Sequence, residues 1–99
     1  MPSSPHLDKL RTQALASDLE HHIRARGNYT HVTVRVRGRY LYLENGGEVV
    51  ARVDPTSRST YGLSFRSHTG RWEPMPVHGT LIEVAAGVVD TLGPFLEPM

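Results

Sequence analysis

Six histidines, His6, His21, His22, His31, His68 and His78, are the side chains here that titrate near neutrality and could ligate a metal. No two of them stand four apart on a helix. Adjacent His21 and His22 would point about 100° apart on a helix, so one ion could not easily use both. Asp18 and His22 are spaced for an ion pair rather than a chelate. The chain has no cysteine, which excludes a thiol nucleophile, a disulfide framework and a Cys-based zinc site. It has no nucleophile elbow, no P-loop and no dinucleotide glycine motif. His68 in a turn and His78 before a helix are the remaining candidates for metal-assisted or small-molecule chemistry. The expectation is a non-catalytic protein with no cofactor and no metal.

Chemistry by contact is better supplied. Arg35, Arg37, Tyr40, Tyr42, Arg52 and Arg66 fall on alternate positions of a strand-rich middle third. Guanidinium groups neutralise phosphates, and tyrosines are platforms on which bases stack, so this face is a candidate for binding RNA or single-stranded DNA. Arg71, Glu44, Glu48, Asp54 and Glu73 are expected on the same face, and five arginines against four acids would make it mixed rather than basic. The second candidate is an apolar C-terminal helix. Leu81, Val84, Ala85, Val88 and Leu92 supply one stripe, and Ile82, Ala86 and Val89 a second. With mid-helix Gly87 and nearby Phe95, that second stripe could carry self-association as a homodimer, or a contact with another protein. Self-association is the function expected first, and nucleic-acid binding is the alternative.

These residues need a frame. The chain has 99 residues, 38% of them hydrophobic and 21% charged, which is one small globular domain. Net charge is +1, but residues 24 to 71 hold nine arginines against Glu44, Glu48 and Asp54. Residues 73 to 99 hold four carboxylates and no basic residue. The longest uncharged apolar run, Val84 to Val89, is far short of the ~20 residues of a membrane helix, and the start lacks the pattern of a signal peptide. No membrane partner is expected, and a cytoplasmic location is the default.

Residues 1–6 read as a disordered lead and 7–97 as the domain. Leu7, Leu10, Ala14, Leu15, Leu19 and Ile23 recur at helical spacing to about Arg26. Val32, Val34 and Val36 then alternate with polar residues, and Gly38-Arg39 fits a two-residue type II′ hairpin that pairs Val36 with Leu41 and Arg35 with Tyr42. Asn45-Gly46-Gly47 reads as a three-residue loop, setting Leu43 opposite Val49 and Leu41 opposite Ala51. Ser67 to Gly70 turns the chain, with Trp72 returning opposite Phe65 and facing the core. Pro74 and Pro76 cannot donate to a ladder, so the last strand should be an edge. Thr80 and Glu83 form a capping box that opens the second helix.

The expected fold is α+β: a two-layer sandwich of an N-terminal helix, an antiparallel sheet of four to five strands and a C-terminal helix, both helices on one sheet face. The order resembles the double-stranded-RNA-binding domain in outline over residues 7 to 96. It departs from that family at Pro76-Val77-His78-Gly79-Thr80-Leu81, where the family carries lysines. Helices sharing one face should also leave little volume for a ligand pocket.

Overall fold

The computed structural model describes residues 5–27 and 29–96. Helix α1 (Pro5–Arg24) is followed by strands β1 (Val32–Arg37), β2 (Tyr40–Asn45), β3 (Glu48–Pro55), β4 (Tyr61–Arg66) and β5 (Trp72–Gly79), then helix α2 (Leu81–Leu92) and a short 3-10 turn, Gly93–Leu96. The strands form one antiparallel sheet in the order β1-β2-β3-β4-β5. Both helices pack on one face of it, α1 against β1 and α2 against β4 and β5, and they touch each other. This is the two-layer α+β sandwich that the alternation requires.

Helix α1 starts two residues earlier than the apolar spacing indicates. Pro5 and His6 belong to it, and proline suits a first helical position because its missing N–H has no intrahelical partner there. Ala16, Leu19 and Ile23 are its buried stripe, while Ala14 is exposed and Leu10 is 53% exposed. The core closes around Leu41, Leu43, Val53, Leu63, Val84 and Val88, all at or near zero exposure. Buried Leu96 brings the C-terminal turn into the same cluster. The His31 ring Nε2 meets the Leu96 carbonyl and ties that turn to the entrance of β1.

The β1–β2 register is the expected one, with Val36 opposite Leu41 and Arg35 opposite Tyr42. Gly38 has φ +60° and Arg39 does not have positive φ, the type II′ pattern. The next turn differs. Asn45 pairs with Glu48, so the loop is the two residues Gly46-Gly47, both at positive φ. Continued without interruption, that register would turn Arg52 into the core. A bulge at Val50 removes the mismatch, and Leu43 pairs with Ala51 and Leu41 with Val53.

Both sheet edges are partly obstructed against further pairing. On β1, the Val34 N–H donates to Glu20 Oε2 at 2.9 Å, and Arg24 Nη2 donates to the Val32 carbonyl at 3.1 Å. Glu20 and Arg24 are themselves an i,i+4 ion pair at 3.2 Å. One turn of α1 thus occupies part of the β1 edge with side chains. Pro74 and Pro76 blunt the β5 edge, which the topology places where the sequence does. Glu20→Ala should lose about 1–3 kcal/mol, because the Val34 N–H loses a charged acceptor. It should also increase association at high concentration by light scattering. Glu20→Gln keeps an acceptor and should lose less; equal melting temperatures for both variants and the wild type would contradict this edge assignment.

Helix α2 opens on the capping box. Glu83 N–H donates to Thr80 Oγ1 at 3.3 Å, and Thr80 N–H donates to Glu83 Oε1 at 3.1 Å. The bond from the Thr80 backbone N–H, with a smaller part from the Thr80 side chain, holds the exposed Glu83 carboxyl below its ordinary 4.5. A carboxylate with a lowered native pKa stabilises the fold above the unfolded value, and that contribution is lost as pH falls through the native value. The melting-temperature difference between wild type and Glu83→Gln should therefore shrink as pH drops below 4.5. A pH-independent difference would contradict the assignment. Thr80→Ala should cost about 1 kcal/mol at neutral pH, or roughly 4–8 °C in a domain this size.

Candidate nucleic-acid interface

With both helices on one side, the opposite sheet face has no cover from the described residues. Its side chains follow from register. Arg35, Tyr42, Arg52, Ser64 and Pro74 form one row across all five strands, since each is the partner of the next. Arg37 faces Tyr40 at one end of the face, and Arg66 faces Trp72 at the other.

Trp72 is the main correction to the sequence reading. It lies on this outer face rather than in the core, and Phe65 pairs with Glu73. The β4–β5 loop closes on Ser67 and Arg71, whose Ser67 N–H to Arg71 carbonyl bond is 2.9 Å, leaving three loop residues instead of four. Gly70, at φ +84°, takes the left-handed position that ends such a loop. A one-residue difference in loop length turns every following side chain to the other face. The glycine at the third loop position was the signal that could have placed Trp72 correctly.

The indole reaches across β4 to side chains of β3 and β2. Its centroid lies 5.7 Å from that of Tyr42, edge to face, and Tyr42 is 6.4 Å from Tyr40 in the same manner. The Arg52 guanidinium sits among them, 4.4 Å from the Tyr40 ring and 4.8 Å from the Trp72 ring. Asp54 fixes it: Nε lies 2.7 Å from Oδ1 as an ion-pair contact, and Nη2 donates to Oδ2 at 3.4 Å. Ser64 Oγ donates to the same Oδ2 at 3.5 Å. Arg52 is thus held by charge in its plane and by π faces around it, which preorganises the three rings as one half-buried patch.

The charge on this face is also more basic than expected. Glu44 and Asp54 are here, but Glu48 and Glu73 line a cleft beside Phe65 and Leu92 at an end of the helix-covered side. Glu44 is already engaged, its Oε2 lying 3.3 Å from Arg35 Nε. Four arginines, Arg35, Arg37, Arg52 and Arg66, therefore meet two carboxylates, and each carboxylate has an arginine partner. Arg37 and Arg66 make no ion pair among the described residues, and Arg39 lies 5.7 Å over the Tyr40 ring.

Of the residues expected to carry self-association, Ile82, Ala86, Gly87 and Val89 lie on one helix, α2, and differ in exposure. Ile82 is 54% exposed, whereas Val89 packs against the core. Gly87 faces strand β5, where an added Cβ would meet Val77 Cγ1 at 2.4 Å. Ala86 is half-buried, and the Phe95 side chain lies outside the described residues. His68 and His78 belong to no group of three candidate metal ligands among the described residues. No helix there is long and apolar enough to cross a membrane. The helices leave more room than expected: clefts of about 850 and 780 Å3 open where they stop short of the loops.

The fold and this face together define a small α+β sandwich with an open sheet bearing an arginine-centred aromatic patch. No family model, curated protein or solved structure matches the chain.

Proposed function

We propose that this is a non-catalytic binding module whose open sheet face engages single-stranded nucleic acid, RNA or DNA. The observation that carries the reading is the Arg52 guanidinium set among Tyr40, Tyr42 and Trp72 on an uncovered face, with Arg37 and Arg66, neither in an ion pair among the described residues, at its two ends. Bases stack on tyrosine and tryptophan whatever their identity, so the patch predicts weak sequence preference. Arg37 and Arg66 supply the phosphate contacts that fix the strand across the patch. The flat ladder suits unpaired bases, which can lie on the sheet, better than a duplex, whose bases are stacked on one another.

Self-association is the second reading, and exposed Ile82 on α2 supports it. It is the weaker one, because Val89 and Gly87 are occupied within the chain. Fluorescence anisotropy of a labelled 12-mer separates the two. The nucleic-acid reading expects saturable binding at low salt, with log K falling by about 0.7 per phosphate neutralised as log salt rises. Arg37→Ala combined with Arg66→Ala should reduce that slope by about 1.4. Absence of binding to both RNA and DNA at low salt would overturn it.

A further inference from the structure

The larger of the two clefts, about 850 Å3, opens at the opposite end of the helix-covered side from the Leu92 cleft, between the first half of α1, the β1–β2 turn and the β3–β4 loop. Its floor is apolar, made by Leu15, Val36, Leu41 and Tyr61. Its rim carries Arg11 from α1, Arg39 from the hairpin tip and Arg58 from the β3–β4 loop. No carboxylate is among its described lining residues. The two large apolar side chains exposed among the described residues stand at the same end: Leu10 precedes Arg11, and Ile82 lies in the first turn of α2, just after Gly79, the partner of Tyr61. Arg39 also lies over the Tyr40 ring of the open face, so Arg11 and Arg58 are the two cations that neither the sheet-face patch nor the core engages. A volume in the range of small-molecule sites, an apolar floor and a rim of neutral polar residues whose charged groups are all arginine select a ligand with one hydrocarbon body and one anionic head. We propose that this cleft binds a medium-chain fatty carboxylate, its tail on Leu15, Val36 and Leu41 and its head on Arg11 and Arg58, whose forks match the two carboxylate oxygens.

The test is a titration of the full chain with decanoate below its micelle concentration, followed by methyl and amide NMR. Saturable shifts at Leu15, Val36 and Leu41 are expected, with little change at Trp72 on the other face. Arg11→Ala with Arg58→Ala, both exposed and outside the core, should keep the fold and weaken decanoate at least about tenfold. Decanol or a neutral decyl glycoside binding as tightly as decanoate would overturn the proposal. So would decyl phosphate shifting these methyls where decanoate does not, or an undiminished response in the double variant. Oligonucleotide binding should be the same in that variant as in wild type, so failure here and failure of the sheet-face reading are separate results.

Discussion

Trp72→Ala is expected to weaken single-stranded oligonucleotide binding by about 1–3 kcal/mol, the usual cost of removing one stacking platform, or about 5- to 150-fold. The loss has two sources. One ring is gone from the patch, and Arg52 loses the indole that lies 4.8 Å from its guanidinium. Trp72→Phe keeps a smaller π face and should retain most of the affinity. The fold should survive both changes, because Trp72 packs on the outer face and not among Leu41, Leu63 and Val88. Anisotropy on the three proteins checks the order wild type, phenylalanine, alanine. An alanine variant with wild-type affinity would remove Trp72 from the interface.

The second large effect is on stability and has an inverted sign. Replacing a mid-helix glycine by alanine ordinarily gains about 1 kcal/mol. At Gly87 the new Cβ would meet Val77 Cγ1 at 2.4 Å and Cγ2 at 3.2 Å, so Val77 must leave its rotamer or α2 must lift from β5. Overpacking of this kind costs about 1–3 kcal/mol, which exceeds the propensity gain at its upper end, and Gly87→Val should cost more than Gly87→Ala. Val77→Ala removes both clashing methyls. The double variant with Gly87→Ala should therefore be more stable than the sum of the single changes indicates, by about 0.5–3 kcal/mol. Thermal melts of the four proteins measure this coupling. Additive single changes, or a Gly87→Ala variant more stable than wild type, would contradict the close approach of α2 to β5.

What the sequence reveals and what it hides divide along a physical line. The β1–β2 pairing is readable because turn chemistry and alternation agree on one register, and every residue from Val32 to Arg37 obeys it. The β5 edge and the α2 start are readable because proline and the Thr80–Glu83 box have local meaning that packing does not alter. Trp72 is not readable in the same way. Its face depends on whether the loop after Arg66 has three residues or four, and Gly70, the one residue type that points to three, fits the end of either loop until the Ser67–Arg71 pairing is seen. The Val50 bulge hides for a similar reason: it restores a face only after Gly46-Gly47 has set a register that would lose it. Glu48 and Glu73 follow these two loops, so the charge of the open face is misjudged together with the position of Trp72. The cover on α2 is a tertiary matter, because the sequence does not say how far α1 and β5 reach around Val89 and Gly87.

The sheet-face reading rests on Trp72, and the chain has only this one tryptophan. Its emission therefore reports from within the proposed interface, without a label and without interference from the core. Adding an unlabelled single-stranded oligonucleotide at low salt should quench that emission saturably, and raising the salt should restore it. Emission that stays constant through the titration, while the protein remains folded, would contradict base stacking on this face.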